Sequence, residues 1–411
     1  MGRDGNTPGV GVEFFDADPS DAEVDEVLVV PEPRWPRWIP VLVAAGLVAA
    51  VITLVTRANN APSAAPPTPT PSPSWVTQGP LPTDAPPSLQ GPPITVTTVS
   101  APLLGVQAGW ELFGLGGRTV VRIEFASGRI TSTTAPGLIS AGAVSFVVGT
   151  HEAVVRPHDF VPGYRVPDGQ PARQLAVMPS IGQSQPVFPG PDPDLVWAPP
   201  ANAGPADIGL ASLDDASSGP LLPVPAGVAV QDASPDGAGY LLFHGPGGIY
   251  DARPSGLRRI TTGRVLAVGS THWLVDECGG QGDGCTTVVI DQASRTRRVL
   301  DTRLAAADVL AGVISPDGST AALATGSGPP LVELVDLNTG AVRSLPLRID
   351  LSAFDPSESL AWSPDSRWLF VTNGDGHLFA VDAHDDRITD LTAATGTPLP
   401  ALTQIAVRSA P

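Results

Sequence analysis

From about residue 94 onward, apolar and polar positions alternate over short runs, and turn residues interrupt them every few positions. Alternation of period two predicts half-buried strands. No stretch keeps a 3.6-residue period for three turns, so the pattern predicts an all-β domain. The commonest unit is a strand, a tight turn and a second strand, as in "TVVRIEFASGRITSTT" (119–134), "GGIYDARPSGLRRIT" (247–261), "TTVVIDQASRTRRVL" (286–300), "LVELVDLNTGAVRSLPL" (331–347) and "HLFAVDAHDDRITDLT" (377–392), with a weaker copy at "IGLASLDDASSGPLLPV" (208–224). The acid that closes the first strand of each unit is Glu124, Asp214, Asp251, Asp291, Asp336 or Asp382, at intervals of 90, 37, 40, 45 and 46. The first interval is double the others, which predicts a degenerate copy around "HEAVVRPHDFVPGYRV" (151–166). An apolar strand precedes the pair in each full unit, for example "WELFGL", "HWLVDE" and "RWLFVTN". Before three of these stands "SPDG" (234–237 and 315–318) or "SPDS" (363–366), which predicts a tight turn between the first and second strands.

A period of about 43 residues with four short strands is the pattern of a propeller blade. One four-stranded sheet cannot hide both faces, but sheets stacked radially cover each other. The spacing predicts seven blades over residues 94–411. The surplus segment "LTQIAVRSA" (402–410) is then expected as the innermost strand of the first blade, beside "WELFGL", closing the ring. "ISPDGSTAALAT" and "WSPDSRWLFVTN", followed by "LFAVD", resemble TolB-like or WD-repeat-like propeller blades of bacteria. The resemblance covers about residues 230–392 well and 100–230 poorly. The WD dipeptide of the WD-repeat subfamily is missing and GH occurs only once, at Gly376-His377, so its polar network is not carried over. The resemblance implies the fold and leaves the function open.

The first 93 residues are different. Nineteen residues, 38–56, carry no charge between Arg37 and Arg57. At a 1.5 Å rise they span a hydrocarbon core of about 30 Å, which predicts a transmembrane helix. Pro40 sits in its first turn, and Trp35 and Trp38 mark the interface. Arg34 and Arg37 before the span outweigh Arg57 after it, so the N-terminus is expected in the cytoplasm and the propeller outside. Residues 1–37, with nine acids and three arginines, read as a disordered acidic cytoplasmic tail. Residues 57–93 read as an extracytoplasmic stalk, because 12 prolines among positions 61–93 favour extended polyproline II.

The formal charge is −18 and every one of the 23 basic residues is arginine. Such a balance argues against nucleic acid as a partner. The lack of lysine excludes Walker A loops and Schiff-base chemistry. Cys278 and Cys285 bracket "GGQGDG" between two predicted strands, which sets them opposite each other at disulfide spacing. Two cysteines without paired histidines fail the zinc spacing rules, so no metal is expected. No G-x-S-x-G occurs, "NGDGH" (373–377) and "QGDG" (281–284) lack the rest of a calcium loop, and His272 and His377 read as structural residues at strand starts. Trp110, Trp197, Trp273 and Trp368 read as core. No catalytic residue and no cofactor is assigned.

These readings lead to a membrane-anchored, non-enzymatic binding or scaffold module with a protein or cell-envelope partner. The alternatives are a cell-envelope hydrolase at the propeller mouth and a sensor signalling through the acidic tail. Binding is expected at the loops joining second and third strands, "GPGG" (245–248), "GSGPP" (326–330) and "NGDG" (373–376), and hence at Gly245, Gly248, Ser327, Asn373 and Asp375.

Overall fold

The computed structural model describes residues 94–136, 138, 144–157, 163–175, 186–199, 207–213, 218–278, 285–302, 304, 308–326, 331–349, 356–373 and 376–409, all within one compact unit, Ala85–Pro411. The predicted tail, transmembrane helix and stalk (1–93) lie outside these residues. Among the described residues no helix is long and apolar enough to cross a membrane.

The chain forms antiparallel meanders. The first sheet runs β29 (Gln404–Ser409), β2 (Trp110–Gly116), β3 (Thr119–Glu124), β4 (Arg129–Thr134) and β1 (Ile94–Thr98). The next holds β5 (Val144–Val148), β6 (Glu152–Pro157), β7 (Tyr164–Pro167) and β8 (Arg173–Gln174). Then come β9 (Phe188–Pro189), β10 (Leu195–Ala198), β11 (Asp207–Ser212) and β12 (Ser218–Pro223), followed by β13 (Ala233–Pro235), β14 (Leu241–Gly245), β15 (Gly248–Arg253) and β16 (Gly256–Thr261). An eight-stranded sheet contains two meanders. One is β17 (Arg264–Val268), β18 (His272–Cys278), β19 (Cys285–Asp291) and β20 (Arg297–Val299); the other is β21 (Val309–Ile314), β22 (Thr320–Thr325), β23 (Leu331–Asp336) and β24 (Val342–Arg348). They join at a single parallel bridge, Val268 to Val313, between their first strands. The last sheet is β25 (Leu360–Trp362), β26 (Trp368–Thr372), β27 (Leu378–Asp382) and β28 (Ile388–Asp390). A short helix, α1 (Leu391–Thr395), follows, capped by Asp390, whose carboxylate accepts from the Ala393 N–H.

Radial stacking follows from which side chains are buried. Second strands alternate by period two between the cores on either side of their sheet. Leu112 packs with Trp368 and Phe370 of the last sheet, while its neighbour Phe113 packs with Ala153 and Val155 of the second. Val196 faces Val154 on one side, and Trp197 faces Leu241 and Phe243 on the other. Leu242 meets Trp273, Leu274 meets Leu323, and Ala322 meets Leu369. Each core lies between consecutive meanders, and the last returns to the first. First strands also touch around the centre: β29 with β5, β5 with β9, β9 with β13, β17 with β21, β21 with β25 and β25 with β29. The fold is an all-β propeller.

Closure is as the sequence predicts. Gln404–Ser409 pairs antiparallel with Trp110–Gly116, from Leu115 opposite Gln404 to Trp110 opposite Ser409. The degenerate copy is also present but shifted. Residues 151–166 supply the second and third strands, β6 and β7, and the fourth shrinks to Arg173–Gln174. Pro167 stands where the first, fifth, sixth and seventh meanders place the closing acid, as the Asp168 N–H bonds the His151 carbonyl in the way the Leu337 and Ala383 N–H groups bond Ser319 and Arg367; in the third and fourth meanders the position is Ser212 and Arg253, not the expected Asp214 and Asp251. The missing acid explains the doubled interval.

The acids that do close third strands fold the next hairpin. Asp336 Oδ1 accepts from the Asn338 and Thr339 N–H groups at 2.7 and 2.9 Å, and Asp382 Oδ1 from His384 at 3.1 Å. Four residues on, Gly128, Arg295, Gly340 and Asp386 each take a left-handed φ of 58–77° and return an N–H to the carbonyl of the acid. This is a type I turn followed by a left-handed residue, a preferred hairpin connection.

Candidate functional site

Hairpins alternate between the two ends of a meander. Turns joining first to second and third to fourth strands share one end; those joining second to third strands share the other. The repeated SPD phrase lies at the first end. In the second and third copies the serine and aspartate build the turn: Ser315 Oγ donates to Asp317 Oδ1 at 2.6 Å and accepts from the Thr320 N–H at 3.0 Å, and Ser363 repeats this with Asp365 and Trp368 at 2.5 and 2.8 Å; in the first, Ser234 lies in β13 and Asp236 Oδ1 accepts from the Ala238 and Tyr240 N–H groups at 2.7 and 2.8 Å. The fourth residue is left-handed in all three copies, Gly237 at 86°, Gly318 at 74° and Ser366 at 60°.

These turns also staple neighbouring blades. The Asp236 carbonyl accepts from Trp273 Nε1 and Gln292 Nε2, both at 3.0 Å, and the Asp317 N–H donates to Ser366 Oγ at 3.0 Å. Trp197 Nε1 reaches the Gly239 carbonyl at 2.7 Å. Trp110, Trp197, Trp273 and Trp368 are all buried in second strands, as expected of core residues. On the outer strands Arg298 and Arg343 reach across to the Leu337 and Ala383 carbonyls, the equivalent position in each following blade, at 2.5 and 3.2 Å.

At the same end, a cavity of about 270 Å³ opens between the second and third meanders, lined by His151, Glu152, Pro167, Asp168, Gln170 and Asp194. Three of its lining carboxylates, Glu152, Asp168 and Asp194, are held from behind by a charged and hydrogen-bonded network. Arg408, on the closing strand β29, donates from Nη2 to Glu111 and to Asp168, both at 2.6 Å, and from Nη1 to the Gly149 carbonyl at 2.8 Å. Its guanidinium lies 4.5 Å from the centre of the Phe113 ring. Arg122 holds Glu111 through Nε and Nη2 at 2.9 and 2.5 Å. Arg165 holds Glu152 in the same bidentate way, with Nε at 2.8 Å. Asp194 Oδ1 accepts from the Thr150 N–H at 2.7 Å.

Burial pushes the Glu111 carboxyl up, but hydrogen bonds from Arg122 and Arg408 outweigh it and hold the group below its usual range. Asp168 Oδ1 and Arg408 Nε are shielded from solvent and have no hydrogen-bond partner among the described residues. The carboxylates are committed to guanidinium groups or backbone N–H groups, and none is hydrogen-bonded to a hydroxyl or thiol nucleophile. Among the described residues no three His, Cys, Asp or Glu side chains converge as metal ligands would.

The loops expected to bind lie at the opposite end. Gly245 and Gly248 face each other across the two-residue turn joining β14 to β15. Gly248 has φ +123°, and a side chain there would strike the Thr261 carbonyl, so glycine serves the turn itself. Asn373 closes its own loop, exchanging bonds with His377 at 3.1 Å (N–H to carbonyl) and 2.9 Å (Oδ1 from N–H). Ser327 and Asp375 lie outside the described residues. Two meanders separate the Gly245–Gly248 turn from Asn373, so these positions share an end of the domain but not a pocket. His272 Nδ1 lies 2.9 Å from Thr271 Oγ1, and His377 Nδ1 lies 2.9 Å from Asp390 Oδ2. Cys278 and Cys285 are directly opposed in register, and the described residues contain no free cysteine.

No family model matches the chain, and no curated protein is significantly similar to it. Solved propellers are similar in outline. TolB from Acinetobacter baumannii is 14% identical over 73% of this chain and 82% of its own, with a TM-score of 0.40. AztD from Citrobacter koseri is 12% identical over 73% and 97%, at 0.38. The dihydro-heme d1 dehydrogenase NirN is 13% identical over 76% and 77%, at 0.39. Likenesses at this level carry nothing about function, and the fold rests on the strand pairing described above.

Sequence reasoning missed the cavity because its residues lie in the stretch where the repeat is weakest. A signal was present: only "WELFGLGGRTVVRIE" and "HEAVVRPHDFVPGYRV" pair a glutamate at the start of a second strand with an arginine inside the third.

Proposed function

We propose that the chain is a membrane-anchored, extracytoplasmic, seven-bladed propeller that acts as a non-enzymatic binding or scaffold module. Residues 38–56 cross the bilayer with the N-terminus inside, residues 57–93 form the stalk, and a Cys278–Cys285 bridge closes the β18–β19 loop outside the cell. The opposed register of the two cysteines supports that bridge. One observation carries the binding reading. The cavity wall presents carboxylates fixed by arginine and backbone N–H groups, which suits holding a ligand more than proton transfer to a nucleophile. The propeller's strands are committed to inter-blade packing, so recognition falls to its two loop-lined ends.

The test is capture from detergent-solubilised membranes with the full chain. Two variants are compared: Asp168→Asn with Asp194→Asn at the cavity, and joint replacement of loops 245–248, 326–330 and 373–376. Loss of the captured partner or ligand in either variant, with the melting temperature unchanged, supports a binding module and says which end is used. Capture that survives both replacements but fails when residues 1–37 or 57–93 are deleted refutes the propeller as the recognition element. Protease added to intact protoplasts should remove the propeller and spare the tail; protection of the propeller refutes the orientation.

A further inference from the structure

An exposed strand edge offers unpaired N–H and C=O groups to any other strand, and stable proteins blunt such edges with charge, proline or short length. Among the described residues this molecule does so on six outer strands. β8 has two residues and β28 has three, ending in Asp390. β12 carries Pro220 and Pro223, and β24 carries Arg343, Pro346 and Arg348. β16 carries Arg258 and Arg259, and β20 carries Arg297 and Arg298.

The remaining outer strand is β1, "ITVTT", added as a fifth strand outside β4. It has neither charge nor proline. Every residue is β-branched, three of the five are exposed, and Val96 is 51% exposed. Among the described residues β4 is its only pairing partner. Pro92 and Pro93, directly before it in sequence, have no N–H to donate to a ladder, and the chain after it turns back, with the Val99 and Leu103 N–H groups bonding Gly128 and Phe125.

We infer that the other edge of β1 pairs antiparallel with β1 of a second copy of this chain, about a two-fold axis at Val96. In that register Val96 lies opposite Val96, Thr95 opposite Thr97, and Ile94 opposite Thr98. All are β-branched pairs of the kind that stabilise sheets, and none sets like charges against each other. Charge favours this contact over other self-contacts. The chain carries −18 overall, yet no charged residue lies between Asp84 and Glu111, so β1 itself brings no like charges together; the one charge on its paired strand is Arg129, opposite Thr98. A five-residue strand is about 17 Å long, too short to bury the roughly 800 Å² per partner of a stable interface. The dimer is therefore weak and concentration-dependent. A shared membrane would strengthen it by raising local concentration, but the pairing itself does not need the proposed anchor.

The test uses the full chain in detergent. A nitroxide is placed singly at Thr95, Val96, Thr97 and Thr98 through cysteine substitution, with the unsubstituted chain as background. Dipolar coupling between copies should peak at position 96 and fall on both sides. Val96→Arg should abolish self-association in sedimentation with an unchanged melting temperature, since the side chain points to solvent. A flat coupling profile, or self-association that survives Val96→Arg, overturns the inference. So does a chain that stays monomeric at about 1 mM, or one whose β1 is labelled by a different polypeptide in membranes. None of these outcomes depends on which way the chain crosses the bilayer.

Discussion

Replacing Gly237 with alanine tests whether the SPD turns hold the propeller together or only connect strands. Two costs add. A left-handed φ of 86° costs an L-residue about 1–2 kcal/mol. The new Cβ would also sit 2.5 Å from the Gly269 carbonyl oxygen and 2.8 Å from its Cα, which is backbone of the next blade and cannot rotate away. Relief requires the turn to withdraw. That loosens the bonds to the Asp236 carbonyl from Trp273 and Gln292 at 3.0 Å, and strains the 2.6 Å bond from Gln292 to the Gly269 carbonyl. Loss of one such buried bond costs about 1–3 kcal/mol, so with the φ cost the total is about 2–5 kcal/mol. Gly318→Ala carries the same φ cost, but its Cβ meets His272 Nδ1 at 2.6 Å and Thr271 Oγ1 at 2.9 Å, and these side chains can turn toward solvent. The expected loss there is about 1–2 kcal/mol. Urea denaturation followed by tryptophan fluorescence measures both, since Trp273 is fully buried. Equal losses at the two glycines would refute the argument that contact with the next blade's backbone sets the cost.

Arg408→Ala should destabilise by about 3–5 kcal/mol, because Glu111 and Asp168 lose a buried partner; limited proteolysis should then show early release of the C-terminal strand. Ser366→Gly should change the urea midpoint little, since relief of a left-handed serine, about 1 kcal/mol, offsets loss of its Oγ bond from the Asp317 N–H, also about 1 kcal/mol. Glu111 titrates below its unfolded value of about 4.3, so its contribution is full above that pH and is lost as pH falls through the lower folded value. The stability gap between wild type and Glu111→Gln should therefore shrink as the pH falls below about 4.3 in denaturation midpoints, and a gap that widens on acidification would contradict the sign.

Much of the fold was legible in the chain because propeller blades repeat a local problem. Alternation marked second strands such as "RWLFVTN", whose neighbours Trp368 and Leu369 do face different cores. Aspartates such as Asp336 and Asp382 marked hairpins because each caps its own turn within four residues. The unpaired "LTQIAVRSA" implied closure because a ring with a lone strand left over has one place to put it. Other features depended on distance along the chain. Arg408 meets Asp168 and Glu111 only because closure brings β29 beside the second meander, and no local pattern announces a contact across 240 or 297 positions. The candidate binding residues were read from glycine-rich loops, whose composition also reflects turn geometry; a polar cavity forms elsewhere, where Pro167 takes the closing-acid position and Asp168 meets Arg408. Which end of the domain holds the polar cavity was settled by the direction in which antiparallel strands alternate, and the distinctness of β1 by what the other blades place at their edges. Local chemistry fixes a strand and its turn, whereas a site made by two blades exists only once the ring has brought them together.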